Sequence, residues 1–249
     1  MKVLFMGTPE FAVPSLMNII NSHHEIVGVI TTPDKPAGRG KQMYVQAVAK
    51  IAKEYSLNLL QYENLENKEL IEKCKSLQAD IGVVVAFKKL PPILYNIPKL
   101  GTFNLHGSIL PQYRGAAPMH WAIINGETET GLTTFFINEN IDTGKIIQIV
   151  RHPIHKDDTV GKLHDRLSLL GADMITDTLN AIESNKFQTV SQTEIISKQS
   201  IEILKKAPKL NKQNTLIDWH KSALEVYNHI RGLNPSPCAY TYAKNSNDS

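Results

Sequence analysis

Residues 81–85 read Ile81-Gly82-Val83-Val84-Val85, and this short apolar run decides the fold. It shows no alternation of polar and apolar side chains, which predicts a strand buried on both faces. On its N-terminal side, short β-branched runs alternate with stretches of helical period, at residues 2–6, 11–20, 25–31, 45–55, 57–60 and 68–77. The sequence therefore predicts an α/β fold in which helices flank an open, mostly parallel sheet.

The pattern continues beyond this run with different elements. It predicts a strand over 101–106, a Gly/Pro-rich loop over 107–118, a helix near 119–125, strands 132–137 and 145–150 joined by 138–144, and a long helix over 160–184. We expect one domain over 1–186, a polar linker over 187–207 and a smaller segment over 208–249. The segment is predicted to hold strand 215–219, helix 223–232 and a strand over 238–243.

Composition excludes several classes of protein. The chain has 249 residues, of which 42% are hydrophobic and 20% charged, so it is neither disordered nor collagenous. No apolar run approaches the roughly 20 residues of a membrane span, and the start does not resemble a secretory signal. With only Cys74 and Cys238 no disulfide framework is expected, and we predict a cytoplasmic protein without a membrane partner.

The charge is distributed unevenly. The net charge is +3, yet residues 1–186 carry 19 basic and 19 acidic side chains, and residues 187–249 carry eight basic and five acidic ones. Composition favours a solvated linker rich in lysine for this basic part of the chain, and a polyanionic partner is the alternative.

Several kinds of site are disfavoured. The first strand ends at Gly7-Thr8-Pro9-Glu10, which supplies one glycine where a dinucleotide fingerprint needs three. His23, His24 and Cys74 lack partners at metal-ligand spacing, so no metal site is expected. No Gly-x-Ser-x-Gly elbow is present, which argues against a serine nucleophile of that type.

A candidate catalytic group lies on the predicted strand 101–106 and in the loop 138–144. Asn104 and His106 are two residues apart on a strand, so they project from one face near its carboxyl end, where α/β sheets bind ligands. An amide donor beside an imidazole suits a developing oxyanion. Asp142, in the loop 138–144, is placed to hold the imidazole tautomer. Spacing alone leaves a purely structural His–Asp pair as the alternative.

These residues carry a resemblance to a known family. Asn104-x-His106 followed by Ser108-Ile109-Leu110-Pro111 and Asp142-Thr143-Gly144 resembles the formyltetrahydrofolate-dependent formyltransferases. Residues 5–16, 33–41, 114–118, 207–209 and 230–235 are similar to the branch that acts on tRNA, and the resemblance covers nearly the whole chain. It implies a Rossmann-like formyltransferase fold followed by an incomplete OB-like segment that begins a tRNA-binding barrel.

The resemblance also implies a reaction. A formyl group would pass from 10-formyltetrahydrofolate to the α-amino group of methionyl initiator tRNA, without a metal or a covalent enzyme intermediate. Asn104 and protonated His106 would donate hydrogen bonds to the oxyanion, and Asp142 would keep His106 charged and relay the proton of the amine. We expect a monomer. The alternatives are a formyltransferase for a small amine, such as an amino sugar nucleotide, and a binding protein for tRNA or folate that has lost catalysis.

The implied binding residues form two groups. The folate would contact Ser108, Ile109, Leu110, Pro111, Ala86 and Phe87, although Ala86-Phe87-Lys88-Lys89 departs from the glycine-containing turn expected there, and core packing is the alternative role of Phe87. The tRNA would contact Lys35, Arg39, Lys41 and Lys209, of which the first three lie on a loop that prolines and glycines exclude from a helix. Arg114 and Arg231, each before a glycine, are further candidates for phosphate contacts.

Overall fold

The computed structural model describes residues 1–37, 42–198 and 203–243, with only the backbone described for 35–37 and 42–44. The strands are β1 (Lys2–Gly7), β2 (Glu25–Thr31), β3 (Lys35–Ala37), β4 (Gln42–Tyr44), β5 (Leu59–Gln61), β6 (Ile81–Val85), β7 (Thr102–His106), β8 (Arg114–Gly115), β9 (Glu129–Phe136), β10 (Ile146–Pro153) and β11 (Lys206–Ala207). The helices are α1 (Val13–Ile20), α2 (Ala47–Glu54), α3 (Lys68–Ser76), α4 (Pro92–Tyr95), α5 (Pro118–Ile124), α6 (Val160–Glu183), α7 (Gln192–Lys198) and α8 (Ala223–Gly232), with a 3-10 turn at Glu10–Ala12.

The main sheet has seven strands in the order β10-β9-β7-β6-β1-β2-β5. Pairing is parallel from β5 to β7, and the last two strands are antiparallel. All five residues of β6 are buried, because the strand lies between β1 and β7 with side chains packed on both faces. The prediction of an open, mostly parallel sheet flanked by helices is confirmed.

Alternate residues of β1 face two hydrophobic cores, one on each side of the sheet. Val3 and Phe5 pack into a larger core with buried residues of α1, α2 and α6. Leu4 and Met6 pack into a smaller core with residues of α3 and α4. The long helix predicted over 160–184 is α6, whose buried side chains recur every three or four residues and cover the first of these cores.

The order of the strands produces a crevice. From β1 the next strands of the main sheet, β2 and β5, are added toward one edge, and β6 then lies on the other side of β1. The connections that leave β1 and β6 therefore diverge to opposite sides of the sheet and leave a gap beyond the carboxyl ends of these strands. Open α/β sheets bind ligands at such a switch point.

The part of the chain after α6 is packed against the domain before it. In the segment predicted as a linker, Val190 pairs with Ile146, and β11 pairs in parallel with β8. Helix α8 has the predicted bounds and begins with a capping box between Ser222 and Glu225. It packs against α5.

Two predicted strands of this region are not formed as such. Segments 215–219 and 238–243 share one parallel bridge, between Leu216 and Tyr240, and no ladder extends from it within the described residues. Their β-branched and aromatic side chains favour extended backbone, but a strand also requires neighbours with which to pair.

None of the helices in the described residues has the length and apolar composition needed to cross a bilayer.

Candidate active site

A cavity of about 490 Å³ occupies the crevice beyond the carboxyl ends of the parallel strands. Its walls come from the loops after β1 and β6, the end of β7, the start of α5 and the loop between β9 and β10. This volume lies within the range of roughly 300–1,000 Å³ that is typical of small-molecule sites. The cavity lies where the strand order predicts a ligand.

Asn104 and His106 both line this cavity from β7. Residues two apart in a strand share a face, so the regular geometry of β7, held between β6 and β9, places the two side chains side by side. The side-chain amide of Asn104 makes no hydrogen bond to any described residue and is half-buried. It is therefore available as a donor to a molecule in the cavity.

His106 is held by two neighbours. Its Nε2 lies 2.9 Å from the carbonyl oxygen of Tyr113, a distance that requires Nε2–H to donate. Its Nδ1 lies 3.8 Å from Oδ2 of Asp142, which is too long for a direct hydrogen bond and short enough for attraction between charges. The ring also meets Phe135 edge-on, with centroids 6.4 Å apart. The orientation of the ring is thus fixed, and Nδ1 carries no direct hydrogen bond to a described residue.

Asp142 is brought to His106 by the loop between β9 and β10, as the hairpin pattern predicts. The residue has φ of +53°, a left-handed conformation that aspartate tolerates better than most residues. Its Oδ2 accepts a hydrogen bond of 2.9 Å from the backbone N–H of Gly115. At Gly144 a side chain would collide with the carbonyl oxygen of Phe136, so the close return of this loop to the sheet requires glycine.

The expected folate contacts divide into two sets. Ala86 and Phe87 line the cavity, and Phe87 also packs against the smaller hydrophobic core, so both roles considered for this side chain are compatible with its position. Ala86 has φ of +47° without being a glycine, and the Nζ of Lys88 donates to the carbonyl of Glu63. The turn that departs from the expected glycine pattern is therefore tied to a neighbouring loop.

The residues that follow β7 are not among those that line this cavity: Ser108, Ile109, Leu110 and Pro111. Ser108 is fully buried, and its hydroxyl donates to the carbonyl of Gln112 at 2.7 Å. Ile109, Leu110 and Pro111 instead line a separate cavity of about 450 Å³.

The expected tRNA-binding residues are described only in part. Arg39 and Lys41 lie outside the described residues, and for Lys35 only the backbone of β3 is described. Lys209 is exposed just after β11.

The two additional arginines have other partners. Arg231 is buried, and its guanidinium donates to Asn228 and to the carbonyl of Asp158, so it fastens α8 to the preceding domain rather than facing a phosphate. Arg114 donates through two nitrogens to Gln192. Burial lowers the pKa of Arg114, and the nearby Asp142 carboxylate opposes this effect.

Three residues contact the site in ways that the sequence does not predict, although Gly115 lies within the similar stretch 114–118. Tyr113 contributes a backbone carbonyl, Gly115 contributes a backbone N–H, and Gln192 lies in a polar stretch that reads as a linker. A glutamine is equally common on a solvated surface, so composition gives no reason to select this one.

His23, His24 and Glu183 lie together, although the sequence shows no metal-ligand spacing around the two histidines. The Oε2 of Glu183 is 2.7 Å from Nε2 of His23, and His24 bonds Asn180 through Nε2 and the Met1 amino group through Nδ1. These groups satisfy one another. Cys74, the other candidate ligand, is buried, and burial raises the pKa of its thiol to about 11, which suits core packing rather than nucleophilic chemistry.

Known proteins match both parts of the chain. Residues 1–179 match the formyl transferase family, and residues 209–247 match the family described as formyl transferase, C-terminal domain. The chain is 48% identical over 248 residues to the methionyl-tRNA formyltransferase of Flavobacterium johnsoniae, covering 100% of this chain and 77% of that protein. It is 45% identical over 241 residues to the same enzyme of Bacteroides thetaiotaomicron, covering 97% and 74%.

Solved structures share the fold at lower identity. A sugar 3N-formyl transferase superimposes with a TM-score of 0.67 at 23% identity, covering 93% of this chain and 78% of that one. An N-formyltransferase of Helicobacter canadensis gives 0.66 at 24% identity, covering 93% and 80%. The match over most of the chain and the high identity to the two bacterial enzymes lead to one conclusion: this chain belongs to the formyl transferase family.

Proposed function

We propose that the protein transfers the formyl group of 10-formyltetrahydrofolate to the α-amino group of methionyl initiator tRNA. The observation that carries this proposal is the convergence of Asn104, His106 and Asp142 on one cavity, in a chain 45–49% identical to methionyl-tRNA formyltransferases. These residues occupy the motif positions that the family resemblance assigns to catalysis.

Asn104 stabilises the charge that develops on the formyl oxygen. When the neutral amine attacks the formyl carbon, this oxygen becomes negative, and a donor already directed at it lowers the barrier. The amide makes no hydrogen bond to a described residue that would have to break before it binds the substrate. Its donor is thus pre-organised for this oxygen.

His106 supplies the second donor. Tyr113 accepts the Nε2 proton, so in the protonated ring the remaining N–H is on Nδ1. Because Nδ1 is 3.8 Å from Asp142, that N–H is not committed to the carboxylate and can donate to the substrate oxygen. The carboxylate is close enough to stabilise positive charge on the ring. A hydrogen bond from a charged donor is about twice as strong as a neutral one.

Asp142 also serves the transfer of the proton. The attacking amine must lose a proton, and N10 of the folate must gain one as it leaves. A carboxylate beside the reacting centre accepts the proton of the amine and then supplies a proton to N10. The hydrogen bond from Gly115 uses only part of the accepting capacity of this carboxylate, so the remaining lone pairs are available for the proton of the amine.

The cavity suits a folate. It combines apolar walls, including Phe87, Leu90, Met119, Phe135 and Ile137, with the polar group of catalytic side chains at one end. A flat heteroaromatic ring system buries well against such walls. We propose folate contacts at Ala86 and Phe87, which line the cavity, and at Ser108, Ile109, Leu110 and Pro111, which follow the strand that bears Asn104 and His106.

The tRNA is proposed to contact Lys35, Arg39, Lys41 and Lys209. Residues 1–186 are neutral overall, so attraction for the acceptor stem must be local, and the loop 33–41 carries three basic side chains against Asp34. We further propose a monomer with a catalytic domain over 1–186, a linker over 187–207 and a tRNA-binding segment from 208. Size-exclusion chromatography with light scattering tests the monomer.

The experiment is a formylation assay. The purified chain is incubated with 10-formyltetrahydrofolate and charged initiator tRNA, and formylmethionine is scored after deacylation. We expect product from the unaltered chain and from His220→Ala, a control at an exposed histidine, and loss of product in His106→Ala. Formylation of an amino sugar nucleotide in place of the tRNA would overturn the acceptor, and absence of product with either acceptor would overturn the reaction.

A further inference from the structure

We propose that Gln192 is a positioning residue: from outside the catalytic domain, it holds the loop that carries Asp142 in position beside His106. The inference rests on the proposed function, because Asp142 is the group through which Gln192 acts. Gln192 is the first residue of α7, in the segment that the sequence predicts as a linker.

Gln192 is only 2% exposed, and both the nitrogen and the oxygen of its side-chain amide make hydrogen bonds. Its Nε2 donates to the carbonyl of Asp142 and to the carbonyl of Gly144, each at 2.9 Å. Its Oε1 accepts from Nε and Nη2 of Arg114, at 2.9 and 2.6 Å. All four hydrogen-bonding positions of this amide are therefore occupied.

These four bonds join two segments that flank the reacting centre. One is β8, where Gly115 donates its backbone N–H to the carboxylate of Asp142. The other is the loop that bears Asp142 in a left-handed conformation. Gln192 bonds the backbone of this loop on both sides of Thr143 and ties it to Arg114. The position of the Asp142 carboxylate is thus fixed by its hydrogen bond from Gly115 and by the hydrogen bonds from Gln192 to the backbone of the loop.

Only a side-chain amide can both accept from Arg114 and donate to the Asp142 loop. A glutamate would still accept from Arg114, but it could not donate to the carbonyls of Asp142 and Gly144. A methionine of similar length would make none of the four bonds and would leave buried carbonyls without a donor. Either change frees the loop to move, and a displacement of about 1 Å at a reacting group can lower the rate about 100-fold.

The first test compares matched glutamines. Gln112 also ties its loop to the segment after α7, with bonds to the backbone of Ile203 and Lys205, but it does not contact the Asp142 loop. We expect Gln192→Met and Gln192→Glu to lower kcat by roughly 10- to 100-fold with KM for folate and tRNA within about threefold. We expect Gln112→Met to retain the kcat of the unaltered chain. A loss that falls on KM alone, or equally on Gln112→Met, would overturn the proposal.

The second test distinguishes positioning from general stability. Residues that act as a unit are non-additive, so Gln192→Met should lower kcat little further in the Asp142→Asn background. Equal losses of kcat from Gln192→Met in both backgrounds would show that it does not act through Asp142, and would overturn the inference alone. An Asp142→Asn variant with unaltered kcat would instead remove the catalytic assignment of the proposed function. Thermal melting and circular dichroism of each variant monitor folding.

Discussion

Replacement of Asn104 by leucine separates catalysis from stability more cleanly than any other change at this site. The amide is half-buried at the edge of the cavity and makes no hydrogen bond to a described residue, so its removal leaves no protein group without a partner. Leucine has a similar volume and is compatible with a strand. We therefore expect little change in the free energy of unfolding, within about 1 kcal/mol.

The catalytic loss should be much larger. Removal of one oxyanion donor raises the barrier by about 3 kcal/mol, which lowers kcat roughly 100- to 1,000-fold. The donor acts on charge that is present only in the transition state, so KM should change little. His106 and its bond to Tyr113 are unaffected, which leaves residual activity above that of His106→Ala.

The assay measures kcat and KM for both substrates together with the melting temperature. Asn104→Asp is the companion variant, because it keeps the shape and replaces an NH₂ donor with a carboxylate acceptor. It should lose at least as much kcat as Asn104→Leu. A kcat within about threefold of the unaltered chain for the leucine variant would refute the oxyanion role. A melting temperature that falls in parallel with kcat would attribute the loss to folding.

Three further predictions concern pH, backbone and tRNA. Burial opposes ionisation of Asp158, but hydrogen bonds from Arg166 and from the backbone of His155 hold its pKa below the ordinary value. The stability that this carboxylate contributes should be present above about pH 4 and be lost as pH falls through the lowered pKa. In thermal melts at falling pH, Asp158→Asn should therefore lose less stability than the unaltered chain. Gly144→Ala should lower the melting temperature and kcat together, because the added Cβ would collide with the carbonyl oxygen of Phe136. An unaltered melting temperature would contradict this. Arg39→Ala should lower kcat/KM for charged tRNA more at low salt than at high salt, as measured by formylation, because salt weakens the phosphate contact that the variant lacks; an unaltered kcat/KM would give the loop another role.

Much of the fold could be predicted because it depends on local periodicity. The uninterrupted apolar run of β6 indicates a central strand, and the period of α6 gives its bounds to within one residue. Asn104 and His106 follow from the two-residue period of a strand, and Asp142 follows from a hairpin that returns to the same edge of the sheet. Each of these arguments uses residues near one another in the chain or a general rule of sheet topology.

The remainder depends on contacts between distant segments. Residues 108–111 continue directly from β7, yet Ile109, Leu110 and Pro111 line a second cavity, and the Leu110 N–H donates to the hydroxyl of Thr133, 23 positions away. Arg231 faces backbone carbonyls more than 70 positions away, and Gln192 bonds a carbonyl 50 positions away. Neither partner is implied by the neighbouring sequence, because an arginine before a glycine or a glutamine in a polar stretch is compatible with an exposed position.

The three side chains that we propose act in catalysis are therefore not held equally firmly. Asn104 and His106 belong to β7, whose ladder with β6 and β9 fixes them through many bonds that act together. Asp142 belongs to a loop, where each fastening bond contributes only about 1 kcal/mol and few such bonds are made. Its position relative to His106 therefore depends on Gly115 and on Gln192, which lies beyond the segment 1–179 that matches the catalytic family. Changes in the segment after α6 should thus reach the reaction through Asp142 and leave Asn104 in place, so their signature is a partial loss of kcat rather than the loss of folate binding.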